Sequence, residues 1–243
     1  MKFFKKIRII ITVFIVTILI TNTNSLKAKE LEQIDVSYST YLYYVNNDYL
    51  GEDISYDEWK NLVESSYKME DYLLNSDQFY QVYSSGSSWD YGSVSIIKGD
   101  IILTNGSDAV GIVGHSGIAI SSEDILHIAN YGTVPSVINI YKWLEAYTTR
   151  YGQWTRIYRH KNYDVASSAA ECAKKLYMGS KAKYKITSDI YSTNETYCSK
   201  LVWQSYYYSS NGAETTTPAT GYIRPYDLPL FIHNVSFKDE WTN

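Results

Sequence analysis

Between residues 94 and 158 the apolar residues come in short runs: Val94–Ile97, Ile101–Thr104, Ser116–Ile120, Ile125–Ala129, Val137–Tyr141 and Trp154–Tyr158. Short β-rich runs, most of them separated by Gly and by Ser/Asn/Asp clusters, predict strands joined by turns. On either side the spacing becomes helical. Ser55-Tyr56-Asp57-Glu58 has the form of a capping box, and Trp59, Leu62, Val63, Tyr67 and Leu74 follow at helical intervals. A second helical stretch is expected over 77–83, then a turn at Ser84–Ser88. Later, Val165, Ala169, Cys172, Ala173 and Leu176 share one stripe of a helix over about 164–178. Another helix starts near Thr196 and runs through Tyr208, and Phe231–Phe237 reads as a last strand. A strand-rich centre flanked by blocks of helix predicts an α+β fold, not a doubly wound sheet.

The first 28 residues stand apart. Residues 1–8 are basic, residues 9–20 are uncharged and almost wholly apolar, and a polar flank follows. This is the layout of a secretory signal peptide over 1–28, with an uncleaved membrane anchor as the competing reading. Either places the remainder outside the cytoplasm, secreted or on the cell surface. Six basic residues lie before position 30, so residues 30–243 hold 16 basic against 26 acidic residues. Such an acidic chain is not built for nucleic acid. Residues 30–88 are expected as an acidic helical appendage and 90–240 as the main domain. Tyrosine is over-used, with 26 copies against six Phe and six Trp, which suits half-buried surfaces where a ring packs and a hydroxyl stays wet.

Four histidines and two cysteines carry the candidate chemistry. With Thr196 as cap, Cys198 falls in the first turn of a helix, where free N–H groups favour a thiolate and lower its pKa. Cys172 sits mid-helix on the apolar stripe and is expected in the core. A disulfide between the two is the alternative for an exported chain. In the strand Gly114–Ile120, His115, Gly117 and Ala119 share a face, and the bare positions would let a nucleophile-bearing helix approach. His127 lies in the next strand. An odd-length loop puts both histidines on one face, directly opposite for a loop at 120–122 and diagonal for one at 121–123. His160 and His233 are expected to be exposed, and no spacing suits a zinc site.

These residues resemble a circularly permuted member of the NlpC-type, papain-like cysteine hydrolase superfamily, near its YiiX/YebB/YycO branch. The order His115, His127, Cys198 is that of a chain whose helical half follows its strand half. Lys98-Gly99-Asp100-Ile101-Ile102-Leu103, Tyr197-Cys198-Ser199-Lys200-Leu201-Val202-Trp203 and Ile223-Arg224-Pro225-Tyr226-Asp227-Leu228 are similar to its recurring motifs. The resemblance spans about residues 94–230. It implies a permuted papain-like fold, an antiparallel sheet packed on helices, with Cys198 as nucleophile, His115 as general base and His127 orienting it. The backbone N–H of Cys198 and the hydroxyl of Tyr184 would receive the oxyanion, with Tyr191 and Tyr197 as rivals to Tyr184. No cofactor is implied. The expected function is a secreted peptidase or amidase cleaving peptidoglycan peptides. The alternatives are an acyl or lipid thiol hydrolase or acyltransferase, and a catalytically silent binding module.

Overall fold

The computed structural model describes residues 33–75, 95–107 and 111–243. The expected signal segment, the helical stretch at 77–83 and the turn at Ser84–Ser88 lie outside the described residues. Residues 34–243 form one compact unit. Its elements in chain order are α1 (Tyr38–Asn46), α2 (Tyr56–Asn75), β1 (Ile101–Thr104), β2 (His115–Ala119), β3 (Asp124–His127), β4 (Ser136–Asn139), α3 (Ile140–Tyr147), β5 (Trp154–His160), α4 (Tyr163–Tyr177), β6 (Lys183–Tyr184), β7 (Glu195–Thr196), α5 (Cys198–Ser210), a 3-10 turn (Pro225–Asp227), α6 (Leu228–Phe231) and β8 (Val235–Thr242).

Six strands form one sheet in the order β4-β3-β2-β1-β5-β8, and β6 and β7 pair separately in parallel. Every pairing in the large sheet is antiparallel, so the α+β expectation holds. Alternation sorts its side chains to two faces. Ile101, Leu103, Ile118 and Leu126 meet α2, α4 and α5 through Trp59, Leu62, Ala169, Leu201 and Trp203. Ile102, Ala119, Ile125 and Ile157 meet Ile140, Trp143 and Leu144 of α3. Each such side chain fully buried contributes roughly 1.5–3 kcal/mol relative to exposure.

Residues 34–75, expected as part of an appendage, are instead part of this core. Trp59, Leu62, Val63 and Leu73 of α2 are fully buried. The Trp59 indole donates to the Gly111 carbonyl at 3.1 Å, and the Arg156 guanidinium donates to the Leu73 carbonyl at 2.8 Å. Asp57, Glu58, Glu64 and Asp71 lie on the outward face of α2, whereas Glu70 turns inward and accepts from Asn105 at 3.0 Å and from the Trp154 indole at 3.2 Å. The Ser55 capping box is present: the Ser55 N–H donates to Glu58 Oε2 at 2.8 Å, and the Glu58 N–H to Ser55 Oγ at 3.4 Å.

Three further expectations change. Residues 95–97 are not a strand, and Val94 lies outside the described residues. The run Val137–Tyr141 crosses from β4 into α3, because the Asn139 side chain accepts from the Tyr141 N–H and caps a helix there. The last strand begins only at Val235, after α6. No helix of the described residues is long and apolar enough to cross a membrane.

The turn before β1 ties the sheet to two helices. Gly99 has φ +85°, and a Cβ there would lie 2.2 Å from the Ala166 carbonyl oxygen of α4. The Tyr206 hydroxyl of α5 donates to the Gly99 carbonyl at 2.6 Å. The adjacent Asp100 is fully buried and accepts two bonds from Arg159 at 2.7 Å. The Gly-Asp pair is thus a structural joint.

Candidate active site

The β2–β3 register pairs Ile118 with Leu126 and Ala119 with Ile125, and the Ile120 N–H donates to the Asp124 carbonyl at 2.8 Å. The loop is therefore 121–123. His115 and His127 share a face as diagonal neighbours, with ring centroids 5.2 Å apart. Nε2 of His115 and Nδ1 of His127 are hydrogen-bonded at 2.9 Å. Gly117 makes this possible: a Cβ there would lie 2.5 Å from Ile125 Cγ2 and 3.3 Å from His127 Cβ. The bare face expected to admit the cysteine helix is filled by β3 and by α3. Trp143 stacks on His115 at 5.1 Å between centroids and 16° between planes, and Tyr147 covers both imidazoles. The α5 helix packs on the opposite face, with Ile118.

Burial disfavours the charged imidazole. It pushes His127 down to about 4. It also holds His115 well below its ordinary value, with the neighbouring His127 adding to the effect. Both rings are neutral at physiological pH. Nδ1 of His115 is buried without a hydrogen-bond partner.

Cys198 is the first residue of α5 and is fully buried. The expected cap differs. Tyr197 occupies the cap position without a side-chain bond, while the Thr196 hydroxyl points to the Tyr197 carbonyl in β7. The thiol lies against Ser116, whose N–H and hydroxyl favour the thiolate, as do those of Ser199. Burial outweighs them, and the Cys198 pKa is raised rather than lowered. The expected thiolate is a neutral thiol here, because the helix N-terminus does not offset removal from water.

Tyr184 comes to the same place. Its hydroxyl is fully buried and unpartnered, and Cys198 acts on its ionisation. Its rivals are disposed otherwise. The Tyr197 hydroxyl is occupied, accepting from the Ile223 N–H at 3.0 Å. Tyr191 is exposed, edge-on to Trp203 and tilted against Tyr207. Two residues were missed from the sequence. Tyr147 sits near Cys198 as well as over the histidines. The Tyr226 hydroxyl is buried and unpartnered, and burial, then Glu70, Tyr67 and Cys198, push its ionisation up. The pattern Ile140, Trp143, Leu144, Tyr147 behind Asn139 carried a helical signal for Tyr147. Nothing in the local sequence marks Tyr226 as closer to the thiol than the other tyrosines.

The remaining candidates lie elsewhere. Cys172 and Cys198 are both free, and Cys172 is half-buried rather than in the core. His160 is buried, contrary to expectation, because Glu214 reaches its Nε2 at 3.2 Å. His233 is exposed. Among the described residues no group of three or more His, Cys, Asp or Glu is arranged to hold a metal ion.

Comparison with known proteins decides the family. The model for lipoprotein N-acylation proteins of the LnsA-like type matches residues 66–230. The chain belongs to this family. The LnsA-like stretch contains His115, His127, Tyr184, Cys198 and Tyr226, and its family chemistry is of the hydrolase or acyl-transfer type. An uncharacterized 30.3 kDa protein of Bacillus thuringiensis is 34% identical over 149 residues, which are 58% of this chain and 54% of that protein. The chain thus matches about half the length of that curated relative. The crystal structure titled metalloprotein yiiX from Escherichia coli O157:H7 aligns with a TM-score of 0.45 and 12% identity, over 61% of this chain and 99% of that one. In the LnsA-like chain the histidine strands precede the cysteine helix, the order of the permuted papain-like arrangement.

Proposed function

We propose that this protein is a thiol acyl-transfer enzyme in which Cys198 takes an acyl group from an ester and passes it to an amine or to water. The observation that carries this reading is the setting of Cys198. The thiol is fully buried, with tyrosines 147, 184, 197 and 226 around it. An acyl chain gains about 0.8 kcal/mol per methylene moved from water into such surroundings. Membership of a lipoprotein N-acylation family agrees with an amine acceptor. The same considerations weigh against peptidoglycan peptides as substrate.

The chemistry starts from neutral groups. The thiol reaches Nδ1 of His115 past the start of β2, from the face on which α5 packs, and Nδ1 takes its proton as Sγ attacks the ester carbonyl. The backbone N–H of Cys198 and the Tyr184 hydroxyl receive the oxyanion. Collapse breaks the ester C–O bond, and His115 returns the proton to the leaving alcohol, which leaves a thioester on Cys198. An amine then attacks the thioester and gives its proton to His115. The C–S bond breaks and the thiol is restored. His127 accepts the Nε2–H of His115 throughout, so that Nδ1 stays the acceptor. Export, with residues 1–28 as leader or anchor, would put this reaction where lipid esters are at hand.

The test uses the purified protein, a diacyl phospholipid in detergent and a peptide whose N-terminal cysteine is S-diacylglyceryl-modified. Intact-mass analysis should find an acyl adduct on Cys198, and the peptide should gain one acyl group. Both are lost in Cys198→Ala. Failure of both, together with Cys198-dependent release of fragments from peptidoglycan, would replace this reading by the amidase one.

A further inference from the structure

The Tyr226 hydroxyl is a buried donor with nothing to bond. It is held in place by three separate contacts. Gly114, one residue before His115, has φ +78°, and a Cβ there would lie 2.5 Å from the Tyr226 ring and 2.6 Å from its hydroxyl oxygen. The Pro225–Asp227 turn is closed by Arg224, which grips Asp227 at 2.6 and 2.7 Å. The same segment is bound to the start of the cysteine helix. The Ser199 hydroxyl donates to the Ile223 carbonyl at 2.6 Å, and the Ile223 N–H donates to the Tyr197 hydroxyl at 3.0 Å. Tyr226 is therefore fixed between the strand bearing the base and the helix bearing the thiol.

A buried hydroxyl without a partner costs roughly 1–3 kcal/mol that phenylalanine would not. Tyr184 carries the same cost from another segment of the chain, and Cys198 acts on its ionisation too. We propose that Tyr226 is a catalytic residue, a second tyrosine donor that together with Tyr184 binds the oxyanion formed on attack by Cys198. This rests on the acyl-transfer reading of the site. In the resting protein the two hydroxyls wait unpaired. When Sγ adds to the carbonyl carbon, the carbonyl π pair moves onto oxygen and both O–H groups donate to it. Both bonds are released when the oxygen returns to a carbonyl.

The experiment compares two reactions of the same thiol in full-length wild type, Tyr226→Phe and Cys198→Ala, each also carrying Cys172→Ser. Acylation by p-nitrophenyl butyrate passes through an oxyanion, whereas alkylation by iodoacetamide does not. In Tyr226→Phe acylation of Cys198 should fall on the order of 100-fold. Alkylation should stay within about twofold of wild type, and the melting temperature should be equal or higher. Equal losses in both reactions, or a lowered melting temperature, would make Tyr226 a structural residue and overturn the inference. Unchanged acylation in Tyr226→Phe, with loss in Cys198→Ala, overturns it while leaving the acyl-transfer reading intact. Acylation that persists in Cys198→Ala overturns both.

Discussion

Nε2 of His115 and Nδ1 of His127 meet at 2.9 Å across a diagonal of the β2–β3 hairpin. This bond fixes one ring edge of His115 and leaves Nδ1 as its open nitrogen. Loss of the partner should therefore affect the reaction more than the fold. In His127→Ala, Cys198 acylation is expected to fall by 100-fold or more, while His127→Gln, which can still accept, recovers part of it. Measuring the rate of p-nitrophenol release from an activated ester checks this.

The neutral histidines make stability pH-dependent. A histidine held at about 4 when folded and near 6.5 when unfolded binds its proton more readily in the unfolded chain. Its contribution is complete above pH 6.5 and is lost as the pH falls from there toward 4. At pH 5 the loss from His127 alone is about 2 kcal/mol. The drop in melting temperature between pH 7.5 and pH 5 should be smaller in His127→Gln than in wild type, as followed by circular dichroism.

The raised thiol predicts a particular reactivity. A preformed thiolate–imidazolium pair would be alkylated at a nearly constant rate above pH 6. The neutral Cys198 thiol should instead react about tenfold faster per pH unit from pH 6 to 8, since only the thiolate attacks. Mass spectrometry of iodoacetamide adducts in a Cys172→Ser background reads this slope. A flat profile would mean that the pair ionises.

Gly117 has no room for a side chain. In Gly117→Ala the new methyl meets Ile125 and the base of His127, so β3 must shift. The expected cost is about 1–3 kcal/mol, with the histidine bond disturbed as well. Urea unfolding and the acylation rate should change together.

The role of α2 is testable by truncation. A chain beginning at residue 90 exposes the surface that Trp59, Leu62, Val63 and Leu73 cover, and is expected not to fold cooperatively. Trp59→Ala in the full chain should cost about 3–5 kcal/mol. Calorimetry of both decides between a core element and an appendage.

Much of the site could be read in the sequence because local rules governed it. Period two and loop length placed His115 and His127 on one face, and helical spacing put Cys198 in a first turn. Burial could not be read in the same way. The ionisation of Cys198 depends on how completely the tyrosines and Ser116 shut out water, and those residues come from five separate stretches. His160 seemed exposed beside Arg159 and Lys161 because Glu214, its partner, is 54 positions away. Ile140 and Tyr141 read as strand because the run of β4 continues into α3 without a break. Tyr226 needed the backbone of Gly114 against it, a contact no spacing rule encodes.

The positions of β2 and α5 in the chain bear on biosynthesis. The strand bearing His115 leaves the ribosome well before Cys198, and the segment fastening the cysteine helix through Ile223 emerges later still. A polypeptide interrupted before that point would carry imidazoles and no working thiol. Under the proposed acyl transfer, no acyl group would be captured until manufacture is nearly finished.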